Sequence, residues 1–417
     1  MKDLRGYIGR AMEMKGLSVD FEIARALCEN PDKTLLFTEV RDYGFRVVGN
    51  VVRNRADIYQ ALGTDSRRYI RDVLKAYDNP VEPAVVEKAP CQEEECSLYD
   101  IPVLRHFEKD GGPFITAGIV TAKDPEHGRN ASIHRLMVHD DNRLGIRIVP
   151  RHLFEYHRRA EERGEDLEVA ISIGVHPALF YAASYSPPLG YDEFALAGAL
   201  MGHPLEVVRC RTVDVEVPAL SEFVIEGRIL CGERRSEGPF ADVTGTYDRV
   251  RQEPVIEVTK VTHRKDAIYQ ALLPSRAEHR LFMGMPQEPR IFKSVAEVAP
   301  VKNVCLTDGG RNWLHGVISL GKGERDIKKV IDHAFAGHPS MKHVIIVDDD
   351  IDIFDPVDVE FALATRFQGH RDAYIYRDMR GSTLDPSTDE DGRTTKVGID
   401  ATIPAGREED YGSAKIP

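Results

Sequence analysis

The chain has few cysteines, no uninterrupted apolar stretch of membrane length and no basic tract, and each shortage removes a class of function. Six cysteines in 417 residues are too sparse for a disulfide scaffold. Cys91 and Cys96 form the one close pair; without a second pair this is a poor zinc signature, and reduced thiols or a single opportunistic disulfide are expected. The longest uncharged run, Val169–Tyr191, is broken by His176, Pro177, Pro187, Pro188 and several serines, whereas a bilayer span needs ~20 consecutive, mostly apolar residues. The opening Met1-Lys2-Asp3-Leu4-Arg5 is charged where a secretory signal has its apolar core. A soluble, cytoplasmic protein is the expectation. Lys and Arg number 55 against 68 Asp and Glu, a formal charge of −13, so nucleic acid and anionic membrane surfaces are excluded as main partners. This balance leaves open a small anion held in a local basic pocket. Walker A, GxGxxG, GxSxG and HExxH motifs are absent, which argues against common nucleotide, hydrolase and zincin chemistry.

What is present suggests two or three domains, at roughly 100–200 residues per domain. Leu4, Tyr7, Ile8, Ala11 and Met12 follow helical spacing, and Thr34–Val40 and Phe45–Val52 read as strands, giving an N-terminal α/β region over 1–100. The polar connector Gln92–Glu95 leads into β-type runs at Phe114–Ala122, Leu144–Val149, Leu167–Ile173, Val207–Val217, Glu222–Leu230 and Val255–Val261. These runs predict an antiparallel or barrel-like domain, and with helices over 275–299 it extends across 101–298. Over 299–417, strands Val304–Leu306 and Gly316–Leu320 precede an amphipathic helix marked by Ile327, Val330, Ile331, Ala334 and Phe335. The β-branched run Val344–Val347 then predicts a buried strand of a small α/β domain. The tail from Asp372 is too rich in Gly, Ser, Thr and Asp to be a domain of its own.

Four constellations carry candidate chemistry. In Gly128–Arg135, followed by Pro150-Arg151-His152, an amide, an imidazole and a guanidinium fork suit an anion, although a solvated hairpin is the plainer reading. Tyr181–Glu193 combines small residues with two prolines, and its Asp192 and Glu193 also suit a helix N-terminus. Glu237-Gly238-Pro239-Phe240-Ala241-Asp242 sets two carboxylates five residues apart around a turn, a recurring acid–base device when an arginine is near, otherwise an acidic turn. Asp348–Asp355 follows the predicted strand as metal ligands do, but fits helix capping better, with Asp355 as cap and Pro356 at the first helical position.

Taken in order, Asp110–Phe114, Asn130–Arg135, Glu193 to Gly202-His203-Pro204, Glu237–Asp242 with Gly245, Val347–Arg366 and Lys396–Thr402 resemble the UbiD-type decarboxylases, which use prenylated FMN. The resemblance covers nearly the whole chain. It implies an α/β (α+β) fold: an N-terminal α/β region, a central split β-barrel of flavin-reductase type, and a C-terminal α/β dimerisation domain. It implies that Asn130, His152 and Glu193 hold Mn²⁺ or Mg²⁺ beside the flavin phosphate, with K⁺ at Ala183 and Ser184. Ser132, Ile133, Arg135 and Arg151 would line the cofactor, and Lys396 would reach its phosphate. Arg135, Glu237 and Asp242 match the catalytic network, with Asp242 where ferulate-type members carry glutamate. Loss of CO₂ from an sp² carbon leaves an electron pair that no side chain stabilises, so a cofactor sink is required. The compact chain resembles the archaeal branch, which implies conversion of trans-anhydromevalonate 5-phosphate to isopentenyl phosphate, with Arg147 and Arg151 as candidates for the phosphate. The alternatives are a hydroxybenzoate-type aromatic acid, a non-catalytic flavin-binding protein, and a metal-dependent phosphohydrolase built on Asp348–Asp355. A flavin prenyltransferase is the implied cofactor source, and a homodimer or higher homo-oligomer the implied assembly.

Overall fold

The computed structural model describes residues 3–411; Met1 and Lys2 of the charged N-terminus lie outside them. The fold is mixed α/β and divides into two units, Met1–Phe282 and Met283–Pro417, each described by itself. Among the described residues no helix is long and apolar enough to cross a membrane.

In the first unit, the helical spacing at the N-terminus yields only a 3₁₀ turn, Leu4–Tyr7, capped by the Asp3 carboxylate. Leu4 and Ile8 bury against Val48 and Ile268, and Met12 begins a strand, Met12–Leu17, that pairs in parallel with Leu35–Val40. Sheet pairing thus overrides a pattern that is locally helical. Arg46–Gly49 and Ile268–Ala271 complete this four-stranded sheet. The main sheet has nine strands, all pairs antiparallel, in the order Phe114–Ile115, Leu136–Asp140, Arg143–Ile146, Arg251–His263, Phe223–Glu237, Leu167–Ile173, Ile119–Asp124, Gly128–Ile133, with Glu94–Glu95 added on Arg251–His263. Val120, Leu136, Leu144, Ile146, Val169, Ile171, Ile225 and Ile256 lie in one buried core.

The Val207–Val217 run is not one strand. It folds into Glu206–Arg209 and Glu216–Pro218, paired as a hairpin. The turn is held from a distance: the amides of Arg211 and Thr212 donate to the buried Glu226 carboxylate at 3.0 and 2.6 Å.

The second unit is a five-stranded sheet ordered Val301–Leu306, His315–Leu320, His343–Asp348, Arg393–Asp400, Ala373–Arg380. The β-branched run is its central strand, and the Gly- and Ser-rich tail supplies the last two. Ile327–Gly337 is the amphipathic helix, capped by Asp326 and burying Val330, Ile331, Ala334 and Phe335. Asp355 caps Pro356–Arg366 by accepting from the Val357 amide at 2.9 Å. Asp348 pairs with Arg325 and Arg366, and Asp350 with Arg366. Asp348, Asp350 and Asp355 of the acidic run are therefore spent on capping and ion pairs.

Candidate active site

The two longest strands, Phe223–Glu237 and Arg251–His263, pair along the main sheet, and Glu237 ends the first of them opposite Arg251. The segment between them turns back as a two-stranded hairpin, Phe240–Ala241 against Tyr247–Asp248. Gly245, at φ +82°, makes the tight turn that only glycine takes without strain. This hairpin delivers two carboxylates, Asp242 and Asp248, to the end of a strand that already carries Glu237.

Arg135 lies in the short link between the Gly128–Ile133 and Leu136–Asp140 strands and meets all three. Its Nε and Nη2 donate to the two oxygens of Glu237 at 2.8 Å each, a bidentate pair. Nη1 donates to Asp242 at 3.0 Å and Nη2 also to Asp248 at 3.1 Å. The guanidinium carbon stands 4.9 Å from the Phe240 ring centroid. Burial opposes the charge on Arg135, but Glu237 first and then Asp242 and Asp248 overcome it and hold its pKa above the ordinary value. Asp248 is likewise buried, yet Arg135 and Arg251 keep its carboxyl below the usual range. Glu237 is fully buried, while the Asp242 side chain keeps 15% of its exposure.

The hairpin is buttressed from the Asp110-Gly111-Gly112 motif. Asp110 accepts from the amides of Phe107 and Ala241 at 2.9 and 3.4 Å, and the Gly111 amide donates to the Pro239 carbonyl at 2.9 Å. A Cβ on Gly111 would stand 2.1 Å from the Gly238 oxygen, so the backbones meet only because residue 111 has no side chain.

A second cluster lies around Glu193. Asp192 caps the Glu193–Met201 helix through the Phe194 amide, which turns the Glu193 side chain inward. Its carboxylate takes the Asn130 amide at 3.0 Å and the Ala131 backbone N–H at 2.9 Å, with His152 Nδ1 at 3.8 Å. Burial pushes the Glu193 carboxyl up, against those contacts. Ser132 lies 3.2 Å from the Asn130 oxygen and 3.0 Å from His134, whose other ring nitrogen meets the Arg147 carbonyl at 2.9 Å. Burial pushes His134 down to about 4, so it is neutral. Arg151 donates to Ser186 at 2.9 Å. Ala183 and Ser184 end the Pro177–Ser184 helix, the negative end of its dipole.

Asn130, His152 and Glu193 thus come together, as do Arg135, Glu237 and Asp242. Among the described residues no group of three or more His, Cys, Asp or Glu is placed to hold a metal; the set here has two such residues and an amide. The Asn130 oxygen faces Ser132, so an amide turn would be needed for it to join them. Ile133 lies on the same strand as Asn130 and Ser132. Lys396 sits in the second unit, where its ammonium donates to the Pro339 carbonyl and lies 5.1 Å from the Phe335 ring centroid. Burial brings its pKa down to about 8. Arg147 is committed, with Glu253 at 2.6 Å. Asp248 was not among the sequence candidates; the only signal for it is Gly245 three residues after Asp242, which marks a returning hairpin.

A buried arginine shared by three carboxylates, and a carboxylate–amide–imidazole cluster, are arrangements that can hold a small anion and move a proton. Models of the 3-octaprenyl-4-hydroxybenzoate carboxy-lyase N-terminal, Rift-related and C-terminal domains match residues 15–77, 84–277 and 280–401. The chain belongs to the UbiD family of carboxy-lyases. Among its relatives, the anhydromevalonate phosphate decarboxylase of Methanothermobacter thermautotrophicus is 47% identical over 399 residues, 95% of this chain and 94% of that one. The protein of that name from Methanosarcina mazei is 45% identical over 425 residues, 99% of both. The structure of the UbiD-class enzyme HmfF from Pelotomaculum thermopropionicum in complex with FMN superposes with a TM-score of 0.95 at 40% identity, covering 100% of this chain and 97% of that one. An evolved dimeric form of HmfF in complex with prFMN gives 0.91 at 39% identity, with the same coverage.

Proposed function

We propose that this enzyme decarboxylates trans-anhydromevalonate 5-phosphate to isopentenyl phosphate with prenylated FMN. The Arg135–Glu237–Asp242 cluster carries the reading, and the identity to the archaeal decarboxylases supports its substrate. Bound flavin supplies the sink for the electron pair released with CO₂. The amide, carboxylate and imidazole of Asn130, Glu193 and His152 are a donor set that suits Mn²⁺ or Mg²⁺. The carbonyls of Ala183 and Ser184, at a helix C-terminus, suit K⁺. Ser132, Ile133 and Arg151 would lie along the flavin, and Lys396 would meet its phosphate. We read the nine-stranded sheet as the split barrel of the resemblance. The enzyme would work in the cytoplasm as a homodimer or larger homo-oligomer, its cofactor made by a flavin prenyltransferase.

Arg135 orients the substrate carboxylate through Nη1. The C–C bond to that carboxylate breaks, CO₂ leaves, and a proton must reach the same carbon. Glu237 is fully buried with both oxygens engaged by Arg135, so neither is placed to pass a proton to the substrate. Asp242 meets Arg135 through one oxygen only, its other oxygen accepting from the Val243 amide at 2.7 Å, and its side chain retains exposure, so it is the donor. It ends as the carboxylate and is reprotonated from water. With Arg147 neutralised by Glu253, the exposed Arg151 is the stronger candidate for the substrate phosphate.

Flavin-loaded enzyme should release CO₂ from anhydromevalonate phosphate and yield isopentenyl phosphate. CO₂ from 3,4-dihydroxybenzoate alone would establish the aromatic reading instead. Binding of flavin with no CO₂ from either acid would mark a non-catalytic flavin protein, and phosphate release without flavin a hydrolase.

A further inference from the structure

Arg135 has five N–H donors. Among the described residues four are claimed: one on Nε and one on Nη2 by Glu237, the second on Nη2 by Asp248, and one on Nη1 by Asp242. Whatever the guanidinium offers a substrate is therefore on Nη1, the nitrogen beside Asp242. Protonation of Asp242 at the oxygen facing Arg135 would free the other Nη1 hydrogen on that same edge. The Nη2 edge is shut by Asp248 alone, since Glu237 accepts only one of its two hydrogens.

Asp248 is itself held in place. Its second oxygen accepts from Arg251 Nη2 at 2.7 Å and from the Arg249 amide at 2.8 Å. Arg147 Nε stands 4.0 Å from the oxygen that meets Arg135. Asp248 is paired across the hairpin with Phe240, whose ring supports the Arg135 guanidinium. Asp248 and Asp242 thus approach Arg135 from the two strands of one turn, one on each terminal nitrogen.

We infer that Asp248 is a positioning residue that closes the Nη2 edge of Arg135, so that a substrate carboxylate docks only on the Nη1 edge beside the proton donor. The inference rests on the decarboxylase reading above. Without Asp248, Nη2 presents a charged N–H to the same carboxylate, away from Asp242. A substrate held there is bound but cannot be protonated. Such unproductive binding competes only for bound substrate, so it lowers kcat and KM by one factor and leaves kcat/KM unchanged.

The test compares flavin-loaded wild type, Asp248→Ala and Asp248→Asn at matched flavin content, each assayed for CO₂ release on the acid that wild type decarboxylates. Asp248→Ala should lower kcat and KM together by about tenfold, the factor given by ~1.4 kcal/mol of unproductive binding. Asp248→Asn keeps an oxygen acceptor for Nη2 and should restore both constants to within about twofold of wild type. A fall in kcat/KM with KM unchanged or raised would overturn the inference, as would an Asp248→Ala enzyme with wild-type constants or an Asp248→Asn enzyme matching Asp248→Ala. Should Asp248→Ala not retain flavin, Asp248→Ser, too short to reach Nη2, carries the same expectation. Wild-type turnover of either acid tests the decarboxylase reading separately from these ratios.

Discussion

Gly111→Ala is a sharp perturbation close to the reacting groups that touches none of them. The added methyl would lie 2.1 Å from the Gly238 oxygen, 2.7 Å from its carbonyl carbon and 3.1 Å from Met137 Cε. The two nearest atoms are backbone, so no rotamer change relieves the clash and the two segments must part. Forcing a methyl into such a contact costs about 1–3 kcal/mol. Losing the bond from the Gly111 amide to the Pro239 carbonyl adds about 1 kcal/mol. The sum, about 2–4 kcal/mol, corresponds to a fall in Tm of roughly 3–7 °C for a unit of this size. The larger effect is on turnover. Parting at Gly238 shifts Glu237 and Asp242 against Arg135, and a misplacement of about 1 Å at reacting groups costs on the order of 10²-fold in rate. Thermal unfolding followed by circular dichroism, together with CO₂ release at matched flavin content, reads both quantities. A Gly111→Ala enzyme with wild-type Tm and turnover within twofold would refute the buttress.

Other expectations follow from burial and charge. Glu193→Gln removes the one carboxylate of the amide–imidazole cluster, and should lower co-purified Mn²⁺ and flavin at least tenfold by elemental analysis and absorbance; wild-type content of both would reject the proposed metal site. The Glu278 carboxyl is pushed up to about 8 by burial from an ordinary value of 4.5. Its Oε2 has no hydrogen-bond partner among the described residues. Ionisation is therefore penalised in the folded chain, and wild type should lose stability as pH rises from about 4.5 to about 8. Glu278→Gln cannot ionise and should be more stable than wild type by on the order of 4 kcal/mol at pH 8, with little difference at pH 4; urea unfolding at the two pH values measures this, and an equal difference at both would contradict it.

Much of the second unit was legible because its signals are local. The β-branched Val344–Val347, the spacing of Ile327 to Phe335 and the Asp355-Pro356 start each settle one element without distant partners. The N-terminal pattern misled because Met12 pairs with Leu35, a contact outside any local window. The Val207–Val217 run misled because the need that bends it belongs to the distant Glu226. In the site, Glu193 was legible as a helix opening, but not that its neighbour Asp192 would take the cap and free it. The contact of Asp248 with Arg135 and the commitment of Arg147 to Glu253 were hidden for one reason: each joins residues more than a hundred positions apart in the sequence.

The central claim is that Asp242 protonates the carbon that loses CO₂. The most direct measurement is CO₂ release by flavin-loaded Asp242→Asn against wild type, at equal flavin content. A general acid contributes about 10²–10⁴-fold, so the variant should retain its flavin and lose at least a hundredfold in turnover. Decarboxylation within a few-fold of wild type would contradict the account.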